Sequence, residues 1–576
     1  MMIVRFRAWT FDSRRRQVVN DGGRVVHLTP KAFDLLAVLL ERAPEVVRKA
    51  DLHEQIWKGT FVSDATLVGL IKELRRAFGD HDRSAPLIRT SYGIGYAFGG
   101  TIETVDAPPL RPTASVAVLP FVNIGEDPKD TYFSDGLAEE LTTALAQLPG
   151  LRVAARVSAF HFRDPGNQLQ QIGKALNVER VVEGSVLRVG NRLRITVRLA
   201  SVADGYQLWS GKYDREIGDV FAVQDDISAA VLSALAPALS GQAPPAAHRH
   251  SQNLAAYELY LRGQHCWHQR TPESVHTAIA HFEAAVRLDR DYALAYAGLA
   301  YSYAALAFYG YLPVADARSA AERSAARALE LAPHLAESHY AMALFVMWLS
   351  PDWPDAEHSY AQALSIQADY APAHIHYAAL LGACRRFDQA RAHVLQAMAL
   401  DPLSPAVYGT AALCMFTSGD YAEARQFGER AIELQSNFVV GLYALGLTHC
   451  RTGEFGNGRN AFDRLVTLSN RAAYFIGWAA LTRGLDGRAA EARSLAAEIE
   501  DRHPSEYIHP VAHLLVAIAV ADRDGALRAL ESCVALQGSS FQLVHAAPFL
   551  GEWAVEPSFA TLLEQLHVGN RGSRES

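Results

Sequence analysis

Between Ser63 and Arg76 the chain sets Thr66, Lys72, Glu73, Arg75 and Arg76 on one side of a helix, while Leu67, Leu70, Ile71, Leu74 and Phe78 recur every three or four residues on the other. Cations and hydroxyls in that pattern can hold phosphate oxygens, and a carboxylate among them can accept from a cytosine amino group. Glu73 also stands three residues before Arg76, the spacing of a helical ion pair, and that pairing is the favoured reading. Ser63 or Asp64 is placed to cap the helix start, leaving the first backbone N–H groups directed at any docked anion. Each basic residue alone reads as a solvated surface charge. Grouped on a helix with an apolar back, they suit a helix that lies on DNA.

Such a helix needs support from beneath. Downstream, Leu87 to Phe98 alternates apolar and polar residues on either side of Tyr92-Gly93-Ile94-Gly95, two short strands joined by a glycine turn. Upstream, Thr29 caps a helix with Pro30 at its first position, and Phe33, Leu36, Ala37 and Leu40 form its buried stripe. Earlier still, Ile3 to Phe11 and Val18 to Leu28 alternate around a basic turn, Ser13-Arg14-Arg15-Arg16, as a small antiparallel sheet would. Helices followed by a hairpin outline a winged helix.

Leu28-Thr29-Pro30-Lys31-Ala32-Phe33-Asp34-Leu35-Leu36, Leu52 to Trp57, Leu74-Arg75, and Thr90, Gly93, Gly95, Tyr96 and Phe98 are the residues through which Met1 to Gly100 resembles the OmpR/PhoB-type winged-helix DNA-binding domain. The resemblance implies that Thr66, Lys72, Arg75 and Arg76 lie on the DNA-facing helix and that Thr90, Tyr92 and Gly93 lie on the wing. It implies double-stranded promoter DNA and RNA polymerase as partners and leaves a homodimer open. Glu73 stands where some members carry an arginine, and Tyr92 replaces the basic wing residue that reaches the minor groove in some members.

Charge is divided along the chain. Residues 1–100 hold 16 Lys and Arg against 11 Asp and Glu, whereas the remainder holds 38 against 51. A basic head on an acidic body suits a phosphate-binding module joined to a part that does not touch DNA. At 576 residues, half of them hydrophobic, the chain is globular and too long for one core. Its five cysteines are widely spaced with no CxxC, which predicts buried thiols in a reducing cytosol and no metal. No apolar run reaches the roughly 20 residues that span a bilayer. The expectation is a soluble, cytoplasmic protein that no receiver domain precedes.

Thr101 to Thr113 is proline-rich and reads as a tether. Residues 114–239 then form a second unit. Ser115-Val116-Ala117-Val118-Leu119-Pro120-Phe121 suits a buried strand, Phe133 to Leu148 a helix, Leu151 to Val157 a strand and Gln168 to Leu176 a short helix. A hairpin turns at Gly190-Asn191, and a helix runs from Val220 to Leu239. With Phe133-Ser134-Asp135-Gly136-Leu137, Glu183-Gly184-Ser185 and Phe221-Ala222-Val223-Gln224-Asp225, this segment resembles the domain related to the N-terminal part of TolB, which implies a small α/β domain with a mixed sheet. Asp135-Gly136 reads as a helix-start turn and Glu183-Gly184-Ser185 as a strand kink.

A second linker, residues 240–253, carries a His-Arg-His that lacks further ligands for a metal. From Leu254 a period of 34 takes over: Trp353, Phe387, Tyr421 and Phe455, and likewise Ala356, Ala390, Ala424, Gly458, Ala492 and Ala526. Small residues at that period mark crossing helix pairs of the tetratricopeptide type, about eight in residues 254–540, with a cap from Ala547 to Leu566 and a disordered tail over 567–576. Ala278 to Ala321 is longer by nine, which places Phe308 to Pro313 in a protrusion. Tyr301, Tyr340, Leu344 and Phe416 fall at positions turned into the concave groove, apolar enough to receive a protein or peptide segment.

The sequence holds no GxxxxGK[ST], HExxH, GxSxG or GxGxxG motif. The pairs Glu139-Glu140 and Asp225-Asp226 sit in first turns of helices, where carboxylates favour the helix dipole. No catalytic residue and no cofactor is expected. The fold class is therefore multidomain: winged helix-turn-helix, then a small α/β domain, then an all-α solenoid. It fits a cytoplasmic one-component transcriptional regulator whose α/β and repeat regions sense a ligand or protein partner. A repeat scaffold with a vestigial or protein-binding winged helix is the alternative.

Overall fold

The computed structural model describes residues 3–7, 9–12, 17–20, 25–26, 28–57, 64–78, 80, 86–91, 93–100, 103–104, 114–125, 131–146, 148, 151–163, 168–216, 220–235, 251, 253–350, 352–502, 506–536 and 540–566. It divides into two compact units, Met1–Arg111 and Pro112–Ser576. The Ser13–Arg16 turn, the body of the 101–113 tether, the 240–250 stretch with its His-Arg-His, and the 567–576 tail lie outside the described residues.

In the first unit β1 (Ile3–Phe6), β2 (Trp9–Asp12), β3 (Gln17–Asn20) and β4 (Val25–Val26) pair antiparallel in sequence order. Three helices follow, α1 (Pro30–Glu41), α2 (Lys49–Trp57) and α3 (Asp64–Ala77), with β5 (Val47–Arg48) between the first two. The wing is β6 (Ile88–Ser91) against β7 (Gly95–Phe98), and β5 pairs on the other edge of β7. β8 (Glu103–Thr104) returns to pair with Val4 and Arg5 of β1, so the unit extends past Gly100 into what reads as tether. One core joins these layers: Phe6 meets Phe78 and Phe98 edge-on at 5.4 and 5.1 Å, and Phe11 stacks on Phe33 at 4.7 Å.

The second unit opens with β9 (Ala114–Val118), β10 (Val122–Asn123), α4 (Thr131–Ala146), β11 (Leu151–Val153), α5 (Arg156–Phe160) and α6 (Leu169–Leu176). β12 (Arg180–Val189), β13 (Arg192–Ser201) and β14 (Gln207–Glu216) form a meander, and α7 (Val220–Leu235) follows. The sheet order is β11-β9-β12-β13-β14, with β9 parallel to both neighbours, β10 parallel to β12 and the meander antiparallel: a mixed sheet. Three local expectations change. The strand at Leu151 stops at Val153 and the chain turns into α5. Asp135-Gly136 is no start turn but lies inside α4, where Asp135 pairs with Arg163 at 2.8 Å. Glu183-Gly184-Ser185 is no kink but runs in register with Arg198, Val197 and Thr196, Gly184 leaving room for the Phe121 ring.

The solenoid follows as antiparallel pairs: α8 (Leu254–Gln269) with α9 (Pro272–Leu288), α10 (Ala293–Phe308) with α11 (Val314–Leu331), α12 (Ala336–Leu349) with α13 (Trp353–Ile366), and α14 (Ala371–Ala383) with α15 (Phe387–Leu400). Next come α16 (Pro405–Ser418) with α17 (Tyr421–Leu434), α18 (Val439–Arg451) with α19 (Phe455–Leu468), α20 (Ala473–Leu485) with α21 (Ala489–Arg502), and α22 (Pro510–Ala519) with α23 (Arg523–Leu536). From Trp353 onward the second helix of each pair starts 34 residues after the last, at Phe387, Tyr421, Phe455, Ala489 and Arg523. The small-residue column is sealed: Ala356, Ala424, Ala492 and Ala526 have no exposed surface. The array winds back on itself. Tyr309 stacks on Phe475 at 6.1 Å, and the Arg318 guanidinium donates to the Leu536 carbonyl at 2.8 Å.

The C-terminal segment fills the inside of that turn. Helix α24 (Ser540–Ala546), two 3-10 turns (Ala547–Phe549 and Gly551–Val555) and α25 (Pro557–Gln565) complete the fold. On α24, Gln542 donates to the Phe308 carbonyl at 3.1 Å, Phe541 packs on Phe308 and Trp353, and His545 meets Tyr443 and Phe416. Of the five free thiols, those of Cys414, Cys450 and Cys533 are buried and that of Cys384 is exposed, against the expectation.

The α/β domain is seated on the solenoid within the same unit. Gly136 lets α4 approach α8, since a Cβ there would lie 2.2 Å from Leu261 Cδ1. At the far end the Ser158 backbone N–H and hydroxyl both donate to Asp401, and the Leu403 N–H donates to Ser158 Oγ at 2.8 Å.

Candidate nucleic-acid interface

Helix α3 buries Leu67, Ile71, Leu74 and Phe78 and exposes Thr66, Lys72 and Arg76. The 3.6-residue period has sorted the apolar and polar residues to opposite sides, as the sequence predicts. Glu73 and Arg75 do not join the exposed set. Glu73 accepts from the Thr29 backbone N–H at 2.7 Å and from the Thr29 hydroxyl at 3.0 Å, while Thr29 Oγ1 accepts from the Ala32 N–H. The expected pairing of Glu73 with Arg76 gives way to this bond across 44 residues. The carboxylate takes an N–H at the start of α1, where helix donors lack intrahelical partners, and so fixes α3 against α1.

Arg75 is turned to the wing. One of its guanidinium nitrogens donates to the Ile88 carbonyl at 2.7 Å and to the Thr90 hydroxyl at 2.8 Å. The Thr90 hydroxyl, read as a wing contact, is thus engaged with the chain's own recognition helix. The buried carboxylate of Asp80 accepts from the Leu87 and Ile88 N–H groups at 2.7 and 3.0 Å and pins the start of the wing. Nothing in the sequence separates Asp80 from Asp82 two residues on, and its role follows from its placement against the N–H groups at the start of β6.

Lys31 donates its ammonium to the Ile56 carbonyl, tying α1 to α2. At the wing tip Gly93 has φ +77°, a left-handed conformation that a Cβ disfavours, and Ile94 beside it is half exposed. Gly95 has another cause: a Cβ would lie 1.9 Å from the Val47 carbonyl oxygen, so only glycine lets β7 approach β5. Ser63 and Tyr92 lie outside the described residues. The structure therefore leaves Thr66, Lys72 and Arg76 exposed on the helix face and Gly93 on the wing, and gives Glu73, Arg75 and Thr90 to the scaffold.

Residues 23–98 match the family described as "Transcriptional regulatory protein, C terminal". The first unit is an OmpR/PhoB-type winged-helix DNA-binding domain. The chain is 32% identical over 261 residues to the putative adenylate cyclase 3 of Rhizobium meliloti, covering 44% of each protein. It is 27% identical over 311 residues to the transcriptional regulator HilA of Salmonella typhimurium, which covers 53% of this chain and 54% of that one. The chain thus spans about half the length of the curated relatives it matches. Among solved structures, the Klebsiella pneumoniae RstA DNA-binding domain in complex with its RstA box is 28% identical, covering 17% of this chain and 98% of that chain with a TM-score of 0.16.

In the solenoid the four residues read as groove-lining separate into two pairs. Leu344 and Phe416 are 1% and 2% exposed and belong to the core; Phe416 stacks on Phe549 of the C-terminal segment at 6.5 Å. They do not face a groove, because the chain's own C-terminal residues cover the inner face. Tyr301 and Tyr340 line a cavity of about 500 Å³ where the α/β domain meets the solenoid. Its walls come from α4, α5, α8, α10, α12, α14 and the turns after α15 and α17. The sequence places Glu139 and Glu140 in the first turn of a helix, but they lie in the body of α4, whose first turn holds no acidic residue, and both reach this cavity.

Proposed function

We propose that this chain is a transcriptional regulator in which the winged helix binds promoter DNA and residues 112–576 receive the signal. The observation that carries the reading is the exposed Thr66, Lys72 and Arg76 face of α3, held at a fixed angle by Glu73 on α1 and Arg75 on the wing. Lys72 and Arg76 would take phosphates, Thr66 a phosphate or base edge, and the Gly93 turn would lay the wing along the backbone. Ser63, at the helix start, and Tyr92, on the wing, belong to the same proposed surface. RNA polymerase is the partner that promoter binding implies, and two copies on adjacent half-sites would be a homodimer.

In this reading the boundaries run 1–100 for the DNA module with 101–113 as tether, 114–239 for a TolB-N-like domain, 240–253 as linker and 254–566 for the repeats. No described helix is long and apolar enough to cross a membrane, which suits a cytoplasmic regulator. The reading assigns the chain no catalytic step and takes Glu139, paired with Arg156 at 2.9 Å, and Glu140 beside it as binding groups.

The test is DNA binding by residues 1–111, a unit with its own core. The fragment should bind duplex DNA with an affinity that falls steeply with salt, and each phosphate contact removed should lower the salt slope by about one. A folded fragment and a full chain that both ignore DNA would leave the scaffold reading.

A further inference from the structure

The cavity between the α/β domain and the solenoid holds ionisable groups of both signs that have no ion-pair partner among the described residues. Glu139 is paired with Arg156 at 2.9 Å, and Asp401 is held by Ser158. Glu140, from the α/β domain, and Glu337, from the first turn of α12, face the same space and have no ion-pair partner among the described residues. Burial, with Glu139 and Glu337 beside it, pushes Glu140 up to about 8, and burial raises Glu337 as well. Two carboxylates confined in this way repel each other unless a cation or a proton lies between them.

Elsewhere on the same wall the Arg270 guanidinium lies over the Trp267 ring, its Cζ 3.8 Å from the centroid. No carboxylate of the described residues pairs with it. Its perturbing neighbours are the hydroxyls of Tyr301, Tyr309 and Tyr340, and it is not among the charges that shift Glu140 or Glu337. Arg270, at the end of α8, thus lines the same cavity as Glu140 of α4 and Glu337 of α12 without an ion pair to either.

Tyr340 adds a donor beside Arg270. It is 6% exposed, and among the described residues its hydroxyl has one hydrogen-bonding contact, His376 Nδ1 at 3.3 Å. His376 Nδ1 also lies 2.9 Å from the Pro372 carbonyl. A carbonyl oxygen only accepts, so that nitrogen carries the ring proton and the Tyr340 O–H is left with no acceptor. A buried donor without an acceptor costs about 1–3 kcal/mol. Tyr260 and Tyr301 are locked by Gln264, whose amide oxygen accepts from Tyr301 at 3.0 Å and whose amide nitrogen donates to Tyr260 at 2.6 Å. Their rings and that of Tyr370 present apolar faces to the cavity.

We propose that this cavity binds a short peptide with both termini free, its ammonium group between Glu140 and Glu337 and its carboxylate on Arg270 and the Tyr340 hydroxyl. A bare amine would leave Arg270 and Tyr340 unpaired, and a bare carboxylate would leave the two glutamates without a cation. A ligand carrying both charges satisfies all four groups. The volume lies in the range of small-molecule sites, roughly 300–1,000 Å³, and at about 500 Å³ leaves room for more than a single amino acid. The proposal rests on the reading of residues 112–576 as the sensing part and names what they sense.

The experiment is calorimetric titration of the full chain at pH 7 with a set of free dipeptides bearing apolar side chains. The same dipeptides are tested N-acetylated and C-amidated, and an alkylamine of matching length is tested alongside. At least one free dipeptide should bind, and either block should weaken it at least tenfold. The Glu140→Gln/Glu337→Gln variant should lose the preference for free over acetylated peptide, and Arg270→Met the preference for free over amidated peptide. No binding by any free dipeptide, equal binding of blocked and free forms, or an alkylamine that binds as tightly would each overturn the proposal. The wild-type comparisons decide even if a variant fails to fold. A dipeptide that binds without changing DNA affinity would uphold the site and sink the sensing role, whereas no peptide binding with intact DNA binding would overturn the site and leave the DNA-binding reading standing.

Discussion

Glu73→Ala separates a scaffold role from base reading at a position where the sequence allows either. In the structure the carboxylate accepts two hydrogen bonds from Thr29, at 2.7 and 3.0 Å. Hydrogen bonds to charged groups contribute about 1.5–3 kcal/mol each, and the exposure of this pair places both at the lower end. The loss is then about 2 kcal/mol after water re-solvates the Thr29 N–H. In a unit of about 100 residues, 1 kcal/mol shifts the melting temperature by about 4–8 °C, so the variant of fragment 1–111 should melt about 8–16 °C lower. Glu73→Gln keeps an acceptor and should lose about half as much. The assay is thermal unfolding by circular dichroism, with DNA binding measured well below both transitions. There, affinity should change little and sequence preference not at all. An unchanged melting temperature together with lost preference for one base pair would refute the reasoning and return Glu73 to the major groove.

Arg75 and Arg76, alike in sequence, should behave differently. Arg75→Ala releases the wing from α3 and should lower stability by about 1–3 kcal/mol, whereas Arg76→Ala should keep the melting temperature and reduce the salt slope of DNA binding by about one. Leu344→Ala should destabilise the second unit by about 2–5 kcal/mol, as for a sealed core leucine, without changing any ligand affinity at the cavity. Glu140 in the folded chain retains a proton that the unfolded chain gives up between about 4.5 and 8, so its contribution to stability is full below that window and is lost as pH rises through it. Glu139, Glu337, Tyr257 and Tyr260 face it in variant and wild type alike, so the melting temperature of Glu140→Gln relative to wild type should rise from pH 5 to pH 8.

The parts of the fold that were legible are those set by local rules. The wing follows from glycines at a turn with alternating residues on either side, and the solenoid from a 34-residue period of small residues that the structure seals at zero exposure. What the sequence hid depends on partners far along the chain. Glu73 points to Arg76 by spacing, but its partner is 44 residues away, and the i,i+3 attraction of an exposed pair is worth only a few tenths of a kcal/mol. Leu344 and Phe416 were read as facing an open groove, which assumes that nothing fills the inside of the superhelix. The contrary signal was available: α12 reads AESHYAMALFVMWL and α16 PAVYGTAALCMFTS, apolar on all sides, and a helix of that kind is covered all round. The cavity between the α/β domain and the repeats was not legible at all, since Glu140 and Glu337 are brought together only by the seating of Gly136 on Leu261 and of Ser158 on Asp401.

The central claim is that the exposed face of α3 holds promoter DNA. Its most direct test maps the sites bound by the full chain across its genome, then measures affinity for a recovered site with wild type and with Lys72→Ala/Arg76→Ala. The account predicts discrete sites upstream of genes, and a double variant that melts as wild type does but binds at least tenfold more weakly. Absence of discrete sites, or a double variant that binds as tightly as wild type, would contradict it.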